Sequence, residues 1–173
     1  VGQGDAVLIR SPSGRLAMID SGTRWSTPVL QSAWRAHPRA SLDMVIITHD
    51  HADHAGGLSM IRQSHPAARI ILGPNAGESI DLDSELRLVV LGPRAATAGA
   101  KNEQSAVLLL QFGNHRFLFL GDAEAAGESF LSMTWNDLLE SDVVKVGHHG
   151  SRTSSHPYLV ERVAGKRETS DAD

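Results

Sequence analysis

A short apolar segment that runs directly into a histidine-rich segment constrains the fold of this chain more than any other feature. Met44–Ile47 is apolar and β-branched, which predicts a buried strand. Thr48–His54, with the sequence THDHADH, follows it without a spacer. Loops that leave strand ends at one edge of a sheet can converge on a site. The sequence therefore predicts a site built at the end of this strand.

The rest of the chain alternates short strands with helices. The predicted strands are Asp5–Arg10, Leu16–Ile19, Met44–Ile47, Arg69–Leu72, Leu86–Leu91, Ser105–Phe112, Arg116–Leu120 and Asp142–Val146. The predicted helices begin at Ser26 or Thr27 with Pro28 in the first turn, after Gly56-Gly57, at Glu124 and at Pro157. Polar turn residues are expected over Asn75–Glu85, and a hairpin turn at Gly113-Asn114-His115. This order predicts an α/β domain with layered sheets and helices.

Composition narrows the possible chemistry. The 173 residues fit one domain, and the absence of cysteine excludes disulfides, thiolate nucleophiles and cysteine-based metal sites. A metal must then be held by carboxylates and by some of the nine histidines. The net charge of −4 argues against a broad basic surface for nucleic acid. No apolar run approaches the roughly 18 residues of a membrane span, so we expect no membrane contact by this segment itself.

The spacing within the histidine-rich segment points to metal binding. His49 and His51, two apart in an extended stretch, point to the same side, whereas Asp53 and His54 at the following bend can address a second ion. A chance occurrence of this pattern is on the order of 10⁻³ over a chain of this composition. One loop is therefore predicted to serve two metals, with zinc and manganese as the candidate ions.

Several motifs together resemble the metallo-β-lactamase fold. They are IDSG at Ile19–Gly22, HDHADH at His49–His54, FLFLGDAE at Phe117–Glu124 and KVGHHGS at Lys145–Ser151. More narrowly, VGQGDA at Val1–Ala6, NEQS at Asn102–Ser105 and HHGSRTSS at His148–Ser155 resemble the C-terminal hydrolase domain of ComEC-type DNA-uptake proteins. The resemblance implies an αββα sandwich over residues 1–164, expected to be incomplete at both ends, and we expect residues 165–173 to form a disordered polar tail.

The resemblance also implies the metal ligands. His49 and His51 would hold the first metal, and Asp53, His54 and one histidine of the His148-His149 pair the second, with His149 preferred. Asp122 would bridge the two ions. Asp20 would orient a metal-binding histidine.

Further roles follow from the resemblance for residues around the ions. Asp53, Asp122 and His148 are the implied catalytic residues, with His148 contacting the scissile phosphate or protonating the leaving group. Many members of the superfamily have another metal-binding histidine in the loop before the strand that Ser105 begins, where this chain has Asn102-Glu103-Gln104-Ser105. We therefore expect an under-ligated first metal completed by water or Asn102. Ser151 and Arg152 are candidates to grip a phosphate, although an ordinary helix-capping loop explains them equally well.

The favoured function is a dinuclear metal-dependent phosphodiesterase that cleaves single-stranded DNA during uptake, using a hydroxide that bridges the two metals. A small-molecule phosphodiesterase of the phosphorylcholine-esterase type and a non-catalytic DNA-binding domain on the same fold are the alternatives. Because the first residue is Val1, inside a motif, we treat the chain as part of a larger protein. For a ComEC-type protein, that would be a membrane protein with this domain on the extracytoplasmic face of the inner membrane.

Overall fold

The computed structural model describes residues 4–37, 41–93 and 101–165. The strands are β1 (Val7–Arg10), β2 (Leu16–Ile19), β3 (Met44–Ile47), β4 (Arg69–Leu72), β5 (Ser79–Asp81), β6 (Leu86–Gly92), β7 (Val107–Phe112), β8 (His115–Phe119) and β9 (Val143–Lys145). The α-helices are α1 (Thr27–Arg35), α2 (Ala52–Ala55), α3 (Leu58–Ser64), α4 (Ala125–Trp135) and α5 (Pro157–Val163). Short 3-10 helices occupy Arg24–Ser26, Lys101–Gln104, Asn136–Leu139 and His148–Gly150.

The strands form two mixed sheets. The first has the order β1-β2-β3-β4, in which β1 and β2 are an antiparallel hairpin and β3 and β4 add in parallel. The second has the order β5-β6-β7-β8-β9, with antiparallel pairs up to β8 and a parallel β8–β9 pair. The predicted hairpins β1–β2 and β7–β8 are confirmed.

Apolar side chains form three clusters, one between the two sheets and one on the outer face of each sheet. The inner faces of the two sheets meet through residues such as Ile19, Ile46 and Leu108. On the outer face of the first sheet, Trp34 of α1 and Ile61 of α3 pack over β2 and β3, while α4 and α5 cover the second sheet. The layers therefore run helix, sheet, sheet, helix, which confirms the predicted αββα sandwich.

The structure differs from the sequence prediction in three local features. The stretch predicted as polar turn residues contains β5, whose single buried side chain, Ile80, packs between the sheets. The end of the predicted histidine loop is helical, because α2 begins at Ala52. His115 pairs with Phe112 inside the β7–β8 ladder instead of forming the turn. All three segments are too short for periodicity to identify.

Of the tail predicted from Gly165 to Asp173, only Gly165 lies within the described residues. Among those residues, no helix is long and apolar enough to cross a membrane.

Candidate metal centre

Strand ends from both sheets converge at one edge of the sandwich. The chain leaves β2, β3, β8 and β9 there and enters β1 and β7 there, because β1 is antiparallel to β2 and β7 to β8. The Ala106 amide donates to the Thr48 carbonyl at 3.0 Å and joins the two sheets at this edge. Chemically active residues follow or precede each of these ends: Asp5, Asp20, His49, Ser105, Asp122 and His148.

Asp20 is a buried carboxylate that organises the segment after β3. It is 2% exposed and adopts a left-handed backbone, with φ of 57°. Its Oδ1 accepts the Thr48 amide at 2.8 Å, and its Oδ2 accepts the Thr48 hydroxyl at 2.9 Å. The same Oδ2 lies 2.8 Å from His54 Nδ1. Asp20 therefore fixes the ring of His54 with Nε2 directed away from it.

The other ring nitrogen of His54 faces Asp122. The two atoms, His54 Nε2 and Asp122 Oδ1, are 3.0 Å apart and buried, and neither has a hydrogen-bond partner among the described residues. Burial lowers the pKa of His54, but the carboxylates of Asp122 and Asp20 outweigh it and raise that pKa to about 10. The position therefore attracts positive charge. The two unpartnered atoms fit a metal ion, which would replace the proton there.

His49 is held by hydroxyl groups on its other side. Its Nδ1 lies 3.1 Å from Thr48 Oγ1 and 3.2 Å from Ser105 Oγ, which leaves Nε2 directed at His51 Nδ1, 2.9 Å away, and Asp122 Oδ2, 3.7 Å away. Burial, together with the neighbouring His54, lowers the pKa of His49 to about 4. The ring is thus neutral at physiological pH, the form that binds a metal.

Two clusters of potential ligands share Asp122. One contains His49, His51 and Asp122, and the other contains Asp5, His54, Asp122 and His149; within each cluster the ligand atoms lie within 4.8 Å of one another. Burial raises the pKa of Asp122, but His54, His49 and His149 outweigh it and hold that pKa below its ordinary value. Asp122 is therefore ionised and reaches both clusters.

The turn before Asp122 requires a glycine. Gly121 has φ of 54°, and a Cβ at this position would lie 2.1 Å from Ser105 Oγ. That hydroxyl accepts the Asp122 amide at 2.9 Å and also contacts His49. Ser105 thus positions Asp122 in the loop after β8 and His49 in the segment after β3, a role that sequence reasoning missed.

Asp5 was also missed as a candidate ligand. Its Oδ1 lies 3.4 Å from His149 Nδ1, and its other oxygen pairs with Lys145. The predicted ligand Asp53 is outside the second cluster but lies 3.1 Å from His149 Nε2. The β1–β2 hairpin could have indicated Asp5 as a site residue, because pairing Val7 with Ile19 places the residues before Val7 opposite those after Ile19.

The loop after β9 presents its two histidines to different carboxylates. His148 and His149 adopt left-handed backbones, with φ of 44° and 51°, which costs about 1–3 kcal/mol per residue. His149 faces Asp5 and Asp53, whereas His148 Nδ1 lies 2.8 Å from Glu124 Oε1. The strained backbone therefore directs the two adjacent rings towards different carboxylates, His148 to Glu124 and His149 to Asp5 and Asp53.

Of the remaining predicted residues, Asn102 and Ser151 lie around Glu124 at the edge of the site, which is called the rim here. Asn102 Nδ2 donates to Glu124 Oε1 at 3.1 Å, and Ser151 Oγ lies 3.0 Å from Thr153 Oγ1. Arg152 is exposed, and no hydrogen bond or ion pair with another described residue holds its guanidinium. The structure therefore brings Asn102 and Ser151 into one rim network and leaves Arg152 outside it.

This fold and its histidine and carboxylate clusters define a metallo-β-lactamase-type domain. The family model of the metallo-β-lactamase superfamily matches residues 1–95, and the chain belongs to that superfamily. The metallo-β-lactamase SMB-1, bound to 2-mercaptoethanesulfonate, has the same fold: the TM-score is 0.62 at 18% identity, over 83% of this chain and 73% of that one.

Curated relatives place the chain more narrowly. It is 33% identical over 183 residues to Recombination protein 2 of Haemophilus influenzae, a match that covers 94% of this chain and 22% of that protein. It is 31% identical over 173 residues to Competence protein ComA of Neisseria gonorrhoeae, covering 94% of this chain and 25% of that protein. The chain thus spans about a quarter or less of these relatives, and the resemblance to competence proteins is confirmed.

Proposed function

We propose that this domain is a metal-dependent phosphodiesterase that cleaves single-stranded DNA. The observation that carries the proposal is the pair of ligand clusters that share Asp122, with the unpartnered His54 Nε2 and Asp122 Oδ1 facing each other. Two neighbouring sites with imidazole and carboxylate ligands are typical of dinuclear hydrolases. No thiol is available in this chain as a ligand or a nucleophile.

Two divalent transition metals, zinc or manganese, fit these donors. His49, His51 and Asp122 would hold one ion, and His54, His149 and Asp122 the other, with Asp5 or Asp53 completing that set. Such ions, when bound, lower the pKa of water between them and neutralise charge on a phosphoryl group. Because the first set has one donor fewer, we expect metal titration to proceed in two steps, with the His49–His51 site filling second.

The protein's own residues hold these donors in place. Asp20 keeps His54 Nε2 directed at Asp122, and Ser105 holds Asp122 beside His49. Hydrogen bonds from groups behind a ligand fix its orientation, and losing them weakens metal affinity.

Two features beside the site favour a nucleic-acid strand over a small ester. The exposed ring of Trp25 carries the Arg24 guanidinium at 4.3 Å, and the Arg24 amide packs against Gly56, two residues beyond His54. An aromatic ring of this kind is a surface on which an unpaired base stacks. A cleft of about 720 Å³ is lined by His49 and also by Arg62, a candidate phosphate contact.

We further propose that the domain acts within a larger membrane protein that imports DNA, on the extracytoplasmic face of the inner membrane. The relatives support this, because each is about four times longer than the match and one is a competence protein by name. There the domain would meet the incoming strand.

The test is hydrolysis by the purified chain of a labelled single-stranded oligonucleotide and of bis(p-nitrophenyl) phosphate. We expect manganese-dependent cleavage of both, weaker activity with magnesium, and none with a chelator. Cleavage of the small ester alone would replace the DNA proposal with a small-molecule phosphodiesterase. Metal binding without cleavage of either substrate would support a non-catalytic domain and refute the hydrolase.

A further inference from the structure

The backbone of Asp5 is tied to two other segments beside the second ligand cluster. Its amide donates to the Asp53 carbonyl at 3.0 Å, and its own carbonyl accepts the Gly22 amide at 2.7 Å. The preceding Gly4 packs so closely that a Cβ there would lie 2.8 Å from the Asp53 carbonyl oxygen. Asp5 is therefore held between the loop after β2 and the helix α2, which contains Asp53.

The two carboxylate oxygens of Asp5 have different partners. Oδ2 pairs with Nζ of Lys145, at the end of β9, and Oδ1 lies 3.4 Å from Nδ1 of His149. Because β1 and β9 are the outer strands of the two sheets, the Asp5–Lys145 pair links the sheets at the edge where the ligand clusters lie. The Asp5 side chain is only 14% exposed, so this carboxylate is largely shielded from water.

The other ring nitrogen of His149 faces the carboxylates of the metal centre. Nε2 lies 3.1 Å from Asp53 Oδ2 and 3.9 Å from Asp122 Oδ1, the oxygen that also faces His54 Nε2. A histidine that binds a metal through one nitrogen commonly donates its other N–H to a carboxylate, which fixes the orientation of the ring. The contacts of His149 match this arrangement, with Asp5 behind the ring and the other two carboxylates in front of it.

Asp5 also lies close enough to the other donors to be a ligand itself, so its charge environment decides between the two roles. The ammonium group of Lys145 contacts Oδ2 and would repel a divalent cation bound to the same carboxylate. Among the ion pairs of the described residues, Asp53 pairs only with His149. Asp53 is therefore better suited than Asp5 to bind a cation.

We propose that Asp5 is a positioning residue that accepts Nδ1–H of His149 and so directs Nε2 of that ring into the second metal site, where Asp53 completes the ligands. Lys145 holds the other oxygen of Asp5 and reserves Oδ1 for the ring. This inference rests on the two-metal site of the proposed function and assigns different roles to the two carboxylates beside His149.

Zinc binding by matched carboxylate variants tests the two roles. The amide oxygen of Asp5→Asn can still accept Nδ1–H, so we expect this variant to keep two zinc ions, one of them bound about 10-fold more weakly, and Asp5→Ala to weaken that site about 100-fold. Asp53→Asn, the same change in the proposed ligand, should lose one zinc ion. Competition with a zinc-binding dye measures the affinity, and mass spectrometry measures the zinc content. Loss of one zinc ion in Asp5→Asn, or unchanged affinity in Asp5→Ala, would overturn the inference.

Nuclear magnetic resonance of the histidine rings provides a second readout that needs no Asp5 variant. In the wild-type chain with two zinc ions, ¹H–¹⁵N spectra should show His149 with zinc on Nε2 and a proton on Nδ1, the signal being assigned by its loss in His149→Gln. Zinc on Nδ1 of His149 would overturn the inference and leave the hydrolase proposal intact. A wild-type chain that binds two zinc ions as described but cleaves no phosphodiester would refute the hydrolase and leave the role of Asp5 standing.

Discussion

The segment after β3 and the loop after β9 both supply histidines to the same edge of the sandwich, but they do so in different ways. His49 and His54 are buried, and hydroxyl and carboxylate groups behind them hold each ring. His148 and His149 are partly exposed on a left-handed backbone, and His148 faces Glu124 at the rim, whereas His149 faces Asp5 and Asp53 beside the second cluster. The buried segment fixes its candidate ligands from behind, whereas the exposed loop contributes one candidate ligand, His149, and one ring outside both clusters, His148, that can meet a substrate.

The difference separates metal binding from chemistry. Removing a buried ligand should empty a site, whereas removing a rim residue should alter turnover with the metals in place. Three predictions test this separation, and a fourth compares a buried histidine outside the clusters, from the largest expected effect to the smallest.

The double variant His49→Ala/Asp53→Ala should lose both metals, because it takes one predicted donor from each site. We expect metal content measured by mass spectrometry to fall from stoichiometric to background, and hydrolysis to fall with it. His148→Ala is the matched control, which should keep its metals. Stoichiometric metal in the double variant would refute the ligand assignment.

Asp20→Asn should weaken metal binding without removing a ligand. The amide keeps the shape of the side chain but lacks the charge that holds His54 Nδ1–H, and losses of this kind lower metal affinity about 10- to 100-fold. Calorimetric titration with manganese measures it. Asp83→Asn, a change in a partly exposed carboxylate that accepts the Ser13 hydroxyl at 2.7 Å and belongs to neither ligand cluster, is the control. Unchanged affinity in Asp20→Asn would mean that His54 needs no support.

Trp25→Ala should act on substrate binding alone. If a base stacks on this ring, the KM for a single-stranded oligonucleotide should rise about 10-fold, since one stacked base contributes about 1–3 kcal/mol. Turnover of bis(p-nitrophenyl) phosphate and metal content should not change, and Trp25→Phe should restore most of the binding. A parallel loss on both substrates would place the effect in the fold and remove this argument for DNA.

His65 provides a buried histidine without a carboxylate, to compare with His54. Its Nδ1 accepts the Leu42 amide at 3.3 Å, its ring packs edge-on against Trp34, and no ion pair among the described residues includes it. Burial lowers the pKa of His65 below its ordinary value. The unfolded chain then binds the extra proton first, so stability is present above about pH 6.5 and is lost as the pH falls below it.

We therefore expect the melting temperature of the metal-free chain to drop by a few degrees more between pH 7 and pH 5 than that of His65→Gln, which keeps an acceptor for Leu42. Thermal unfolding followed by circular dichroism at both pH values measures the difference. An identical drop in both proteins would show that His65 is not a source of acid sensitivity.

Much of the site could be predicted because its densest part is local. HDHADH follows an apolar strand, so both the strand and the position of the histidines at its end can be read from adjacent residues. The αββα architecture followed from a resemblance carried by motifs spread from Val1 to Ser155. β5 could not be predicted in this way, because it offers one buried apolar residue and gains its place only by pairing with β6.

The sequence by itself determined which chemistry is possible: histidines and carboxylates without thiols, grouped at the ends of short strands. Only the tertiary structure decided which of them meet. Asp5 reaches His149, Ser105 reaches both His49 and Asp122, and Glu124 reaches His148. Except for the Ser105–Asp122 contact, which spans 17 positions, each of these pairs is more than 20 positions apart in the chain. Such contacts depend on strand order and register, which a linear pattern does not encode and which packing between the two sheets selects.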